Sequence, residues 1–487
     1  MTTIAPASPR TSPERRFWLA SLGLILAIAA ATGLVVLRGS TVSIGVATTP
    51  ASGATISAKA LIGLTFPTGM RPDSVVSRLH IEPALPGMWS WDVNGTPSDR
   101  VVRFLPSQPL APGTTYRATL AKGAQATNGR AVGRDTGWSF TIRPASLLFL
   151  RVTPGGAPNL HNLWTANADG SGPRQITNER GDVLDYTAAP DGSRIAYVVR
   201  ESQQATSLWA INRDGTGRTR LSPANDPSLY ASPAWSPAGD VIVYTLRSVV
   251  PSGAPASISA VNSAAPAVTI GTSKLWAVAP DGRSLGRIYG RGDEVGFDPV
   301  WSPDGARLAF RGQVSDNNAS TVVLSDLSAD PYSLPAGPGS RITWSPDSGR
   351  AAFDESVPDA TGSVTNHIVV AGFGDSSRQV FLGPQAGHES EPAWSPDGTR
   401  LAFIRQDGST PATSLWIANI DGSGLTRLLG GDGLSCELPA WSPDGTTLVT
   451  TRINGATGED GGIWIVDIGG RVARSILPDG ERVTWIP

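Results

Sequence analysis

The sequence predicts an all-β protein: a β-sandwich followed by a seven-bladed β-propeller, behind one N-terminal transmembrane helix. Three observations carry this reading. Residues 17–37 are apolar and uncharged, residues 54–143 alternate short apolar runs with turn clusters, and a Trp-Ser-Pro signature recurs along the C-terminal two thirds of the chain. At 487 residues the chain exceeds one ordinary domain, and its 55 glycines and 40 prolines are spread as turn punctuation, which fits a turn-dense β protein.

The formal charge of −2 gives no reason to invoke nucleic acid. Lysine occurs only at Lys59, Lys122 and Lys274, and the arginines that supply the remaining positive charge form no long cluster. Cys436 is the only cysteine, so neither an intramolecular disulfide nor a cysteine-based zinc site is available. No cofactor motif is present.

The stretch "FWLASLGLILAIAAATGLVVL", residues 17–37, reaches roughly 30 Å as a helix, the thickness of a hydrocarbon core. Arg10, Arg15 and Arg16 precede it and Arg38 alone follows closely, so the positive-inside bias leaves residues 1–16 cytoplasmic and exports the rest. The alternative is a cleaved signal peptide, whose apolar core is usually shorter, about 7 to 15 residues. Residues 38–53 are small, polar or β-branched and read as a linker.

Between residues 54 and 143 the runs "KALIGLTF", "SRLHIEP", "RVVRFLP", "TYRATL" and "WSFTI" are separated by turn clusters at sandwich spacing. In "APGTTYRATL" the Pro-Gly turn feeds a strand that directs Tyr116, Ala118 and Leu120 to one face. "RFLPSQPLAPGTTYRATLAKGAQATNGRAVGRDTGWSFTI" resembles the C-terminal half of a bacterial Ig-like domain of the SbsA type, and "ISAKALIGLTFPTGMRPDSVVSRLHI" fits its front half, without the usual acidic residue near Met70. The resemblance implies a spacer or adhesive module, with no catalytic group.

Beyond residue 146 one pattern returns. Trp235, Trp301, Trp344, Trp394 and Trp441 each open a Trp-Ser-Pro, and "TAAPDGSRIAY" from Thr187 is a degenerate copy. Pro190, Pro237, Pro303, Pro346, Pro396 and Pro443 mark a period of about 45 residues, the spacing of four-stranded propeller blades. "PAWSP" ends a first strand, "SPDG" a type I turn, "TRLAFIR" a second strand and "LWIAN" a third. Asp-Gly hairpins such as "IDGSG" lead to a short fourth strand. The long step from Pro237 to Pro303 holds "SGAPASISAVNSAAPAVTIGT", which reads as an exposed loop.

Third strands fall near Leu163, Leu208, Leu275, Thr321, His367, Leu415 and Ile463, making seven blades. Six or eight follow if the terminal copies are misread. "SLLFLRV", from Ser146, lacks its own first strand, and the final "RVTWIP" puts Trp485 and Pro487 in the Trp-x-Pro register. The last strand is therefore expected to complete the first blade and hide both sheet edges. The repeat resembles the TolB-type propeller over residues 146–487. Such blades occur in periplasmic partner-binding proteins, surface proteins and the gating domain of prolyl-oligopeptidase-type hydrolases, so the resemblance implies a fold more than an activity.

No G-x-S-x-G elbow is present, and the chain has four histidines (His80, His161, His367 and His388), none paired by sequence with the repeated Ser236, Ser302, Ser345, Ser395 and Ser442. "NADGSG" and "NRDGTG" partly mimic the start of a calcium loop but lack the glutamate at its twelfth position, and read as hairpin turns. "GHESEP" gathers His388, Glu389 and Glu391, enough for two or three ligands of one metal, or simply a solvated loop between blades.

Three positions before the tryptophan register stand Asp185, Ser232, Asp298, Arg341, Glu391, Leu438 and Arg482. First strands line a propeller's channel, so these residues are expected at its mouth, as a polar ligand site or as a self-satisfied ion-pair ring. The functional expectation is a membrane-anchored binding or scaffold protein of the bacterial envelope, with a protein, peptide or polysaccharide partner. The alternatives are a lyase or hydrolase using the carboxylates of Asp185, Asp298 and Glu391, and a ligand sensor.

Overall fold

The computed structural model describes residues 44–486 except 57–60, 94–95, 108–109, 156–159, 252–267, 290–294, 314–319, 327–331, 336–340, 359–363, 374–377, 383–386, 407–411 and 455–459. The expected transmembrane helix at residues 17–37 lies outside the described residues. Among the described residues no helix is long and apolar enough to cross a membrane. The N-terminal sheets and the C-terminal seven fall largely into two compact units.

The N-terminal region holds two four-stranded sheets and a one-turn helix, Pro72–Val76. One sheet orders Ala47–Thr49, Ile62–Thr65, Val101–Pro106 and Gly87–Ser90; the other orders Ala54–Ile56, Thr136–Ile142, Thr115–Leu120 and Leu79–Glu82. Antiparallel register sets Ile62 against Phe104 and Leu64 against Val102, all buried, as strand alternation requires. Tyr116, Ala118 and Leu120 are buried as their spacing predicts. The linker boundary is corrected. Ala47–Thr49 pairs antiparallel with Ile62–Thr65 and Ile44 is 4% exposed, so the sheet begins ahead of residue 54, using β-branched residues that the linker reading passed over.

Seven four-stranded antiparallel sheets follow. Six contain consecutive strands, with first strands Val183–Ala188, Leu229–Trp235, Val295–Trp301, Thr343–Trp344, His388–Trp394 and Leu434–Trp441. In the remaining sheet, the first of the seven in chain order, the strands run Arg174–Gln175, His161–Asn167, Ser146–Val152, Glu481–Ile486. There Ser146 pairs with Ile486 and Leu147 with Trp485, so the last strand completes the sheet that the N-terminal copy leaves open, as expected. The long insertion is corrected in part. Val268–Val278 is strand, paired with Ile242–Pro251 through Val268 opposite Pro251, because "VTIGT" alternates β-branched residues.

The sheets bury their faces against one another. Ala352, Ile368 and Val370 of the fifth sheet meet Trp394, Leu401, Phe403 and Ala418 of the sixth in one apolar cluster. At about 1.5–3 kcal/mol per large side chain fully removed from water, such layers hold the array together.

The repeated turn explains the repeated residues. Ser395 Oγ donates to Asp397 Oδ1 at 2.5 Å and accepts the Arg400 N–H at 2.9 Å. Ser302, Ser345 and Ser442 do the same with Asp304, Asp347 and Asp444. Four turn glycines, Gly239, Gly305, Gly398 and Gly445, seat on the proline of the preceding sheet: a Cβ at Gly398 would lie 3.5 Å from Pro346 Cδ, and one at Gly445 3.5 Å from Pro396 Cδ. Tryptophan bridges the same joints, with Nε1 of Trp344, Trp441 and Trp485 donating to the carbonyls of Val300, Ala393 and Ala440 at 3.1, 3.0 and 3.2 Å.

Candidate channel site

The residues three before the tryptophan register share a backbone feature. Ser232, Asp298, Glu391, Leu438 and Arg482 all take left-handed φ values, 48°, 53°, 53°, 51° and 52°. At each, the first strand carries one extra residue: Ala231 and Ala234 oppose Thr245 and Val243, and Ser390 and Ala393 oppose Ile404 and Ala402. The same shift recurs at Phe297/Val300 and Glu437/Ala440, and opposite Leu148/Leu150 in the sheet of Arg482.

Pro233, Pro299, Pro392 and Pro439 follow four of these residues. Proline has no N–H to contribute to the ladder and disfavours the right-handed helical conformation in the residue before it, so both steps suit a bulge. A side-chain-bearing residue in this conformation costs about 1–2 kcal/mol, and such strain concentrates where a fold re-aims a side chain. Asp185 follows a shift of the same size, one extra residue after Val183, without a left-handed φ of its own.

Contacts and charge link these positions across sheets. Arg482 Nη2 lies 3.2 Å from Asp185 Oδ1, and its Nη1 donates to the Leu184 carbonyl at 3.1 Å. Ser232 Oγ donates to Asp298 Oδ1 at 2.5 Å, and Arg311 Nη1 lies 3.1 Å from Asp298 Oδ2. Glu391 Oε2 accepts the Leu438 N–H at 2.5 Å. Arg341, two residues ahead of the strand Thr343–Trp344 of the fifth sheet, is within electrostatic reach of Glu391, Arg482, Tyr186 and Asp185, in the sixth, first and second sheets. Asp185 in turn senses Asp298, two sheets away.

Burial raises the Asp185 carboxyl above the usual range, opposed by Arg482 and by backbone hydrogen bonds from Tyr186 and Ser232. Its side chain keeps 25% of its surface open although protein surrounds it. Burial lowers the Arg341 guanidinium, against which Glu391 acts. Glu437 is raised by burial and by the carboxylates of Glu391 and Glu481.

All six sequence-singled side chains, Asp185, Ser232, Asp298, Arg341, Glu391 and Arg482, therefore belong to one constellation, with the Leu438 backbone as a seventh member. Sequence reasoning missed Tyr186, whose hydroxyl donates to the carbonyls of Leu148 (2.9 Å) and Arg482, and Arg311, which neutralises Asp298 from a second strand. A first-strand Tyr beside Asp185 was a usable signal; the strand pairing that aims Arg311 was not written in the repeat.

His388 and Glu389 sit elsewhere, with Asn366, Ser390, Gln406 and Thr413, around a pocket of about 180 Å³. His388 Nδ1 accepts the Asn366 N–H at 3.4 Å, and Glu389 is fully buried. Among the described residues no group of three His, Cys, Asp or Glu is arranged to hold a metal ion. The "NADGSG" loop is a hairpin: Asp169 Oδ1 accepts the Ser171 N–H at 2.9 Å and Asn167 Nδ2 donates to Ser171 Oγ at 3.0 Å. Cys436 is buried and its thiol is pushed up to about 11 by burial, which leaves it unreactive near neutral pH.

Residues 42–142 match the family described as bacterial Ig-like domain. A 47-residue stretch, 10% of this chain, is 45% identical to the Tol-Pal system protein TolB of Anaeromyxobacter dehalogenans, and the match to that of Anaeromyxobacter sp. has the same length and identity. The chain spans about a tenth of the length of these relatives. Similar solved structures include TolB from Acinetobacter baumannii, 15% identical over 78% of this chain and 80% of that one, with a TM-score of 0.40. The β-propeller domain of the Trilobed protease from Pyrococcus furiosus is 10% identical over 76% and 96%, with a TM-score of 0.45. Oligogalacturonate lyase from Vibrio parahaemolyticus is 13% identical over 88% and 97%, with a TM-score of 0.48.

Proposed function

We propose that this chain is a membrane-anchored, extracytoplasmic binding protein of the bacterial cell envelope. In this reading its seven sheets are the blades of a seven-bladed β-propeller, whose channel mouth binds a protein or peptide partner, with polysaccharide the remaining candidate. The sandwich serves as a spacer module, and residues 17–37 form a single span with the N-terminus cytoplasmic. The observation that carries the reading is the convergence of Asp185, Asp298, Arg341, Glu391 and Arg482 from separate sheets, several on strained bulges. A fold that bears strain to bring polar groups to one point is using that point.

Site-specific photo-crosslinking from position 438 of the full-length protein in cells tests it. One discrete adduct, lost in Asp298→Asn, is expected; no adduct, or one indifferent to the substitution, overturns the reading. For topology, a protease-protected C-terminus in intact spheroplasts overturns the N-terminus-in assignment.

A second reading, an enzyme using channel carboxylates, draws support from the raised Asp185, since a carboxyl protonated above the usual range suits a general acid. Product released from an envelope glycan or peptide substrate and lost in Asp185→Asn would establish it; saturable binding without turnover would exclude it.

A further inference from the structure

The charged groups of the channel are unequally occupied. Asp185 is paired with Arg482, Asp298 holds both Ser232 Oγ and Arg311, and Glu391 holds the Leu438 N–H. Arg341 differs: among the described residues no hydrogen bond or ion pair reaches its guanidinium, and the residue keeps access to solvent although neighbouring protein crowds it. A guanidinium presents five N–H donors in a planar fork that matches a carboxylate in two parallel hydrogen bonds. Arg341 holds the register position at which Glu391 and Arg482 reach neighbouring sheets, and it is within electrostatic reach of Glu391 and Asp185, so that fork is open to an acceptor.

We infer that the channel mouth recognises the free C-terminal carboxylate of a peptide, with Arg341 as the anchoring residue. The inference rests on the channel-binding reading above and specifies its ligand. The surroundings choose the peptide over an anionic polysaccharide. Asp185, Glu391, Glu437 and Glu481 lie in the same neighbourhood, so a repeating polyanion meets repulsion on every side but one. A peptide terminus brings a single carboxylate for Arg341, followed by backbone N–H donors that the surrounding carboxylates accept.

The test compares mixed-sequence synthetic pentapeptides with free C-termini, the same set amidated, and trigalacturonate, by fluorescence anisotropy or competition on full-length protein in detergent. The free acids are expected to bind at least about tenfold more tightly than the amides. Arg341→Gln is expected to erase that difference, Arg341→Lys to reduce it, and Arg471→Gln, on an exposed turn, to leave it unchanged. Melting curves of each variant separate lost recognition from lost folding. Equal binding of acids and amides, with both lost in Asp298→Asn, overturns the carboxylate inference and leaves the channel reading standing. Tighter binding of trigalacturonate overturns the choice of a peptide. Absence of binding by every probe, or binding indifferent to Asp298→Asn, overturns both readings.

Discussion

Glu391 Oε2 lies 2.5 Å from the amide nitrogen of Leu438, its counterpart one sheet further on. The residue whose charge most resembles a ligand-binding group is thus also a clasp between neighbouring sheets, and it holds an N–H that a strained bulge turns away from the strand ladder. Glu391→Ala is expected to leave that N–H without its acceptor, at a cost of about 1–3 kcal/mol. Glu391→Gln, which keeps a carbonyl oxygen, should lose less. Thermal or urea denaturation reads both; an alanine variant as stable as the parent removes the clasp.

Ser395 is fully buried and serves its turn, donating to Asp397 and accepting from the Arg400 N–H. Ser395→Ala should lower stability by about 1 kcal/mol and leave partner crosslinking unchanged. Loss of crosslinking in a variant that still melts cooperatively would place Ser395 in the functional site.

Trp441 stands between the sixth and seventh sheets, its Nε1 donating to the Ala393 carbonyl at 3.0 Å and the Arg400 guanidinium 5.1 Å from its ring centroid. Trp441→Phe removes the donor and weakens the stack, for an expected loss of about 1–2 kcal/mol in urea denaturation. An unchanged midpoint would mean that the joint is held by apolar burial alone.

Glu437 is raised above its ordinary value of 4.5 by burial, then by Glu391 and Glu481. The folded state therefore holds this proton to higher pH than the unfolded chain does. The associated stability is full below pH 4.5 and is lost as pH rises through the folded-state value. Glu437→Gln should melt at a higher temperature than the parent near pH 7, with the difference shrinking toward zero below pH 4.5. A difference independent of pH would place the effect in packing.

Asp347 is shifted the opposite way, lowered from 3.8 first by the Ser345 hydroxyl and then by the Gly349 N–H. Its contribution is present above pH 3.8 and lost as pH falls through the lowered value. Melting temperatures from pH 6 to 3 should fall less steeply at the acid end for Asp347→Ala than for the parent, and parallel curves would refute this.

The architecture was legible because repetition is a one-dimensional signal. Trp394, Pro396 and Gly398 recur in register with their counterparts, and the tail around Trp485 matches the same register, which pointed to the sheet it completes. The site was half legible: the register singled out Glu391 and Arg482, and Pro392 after Glu391 marked a bulge that the repeat made look like ordinary strand. The sandwich edge at Ala47–Thr49 was misread because a three-residue strand carries too little period to separate from a linker.

By itself the sequence determined the all-β class, the repeat unit and the turn chemistry of Ser395 and Asp397, since each depends on residues near in the chain or on their recurrence. Only the tertiary structure decided which of these charges are already spent: Asp298 on Arg311, Asp185 on Arg482, Glu391 on Leu438. Those pairings join residues 13, 297 and 47 positions apart, brought together by strand pairing, sheet order and the left-handed bulges that turn the side chains inward. Proximity of that kind is set by packing in three dimensions, and Arg341 stands out only after the other charges have been accounted for.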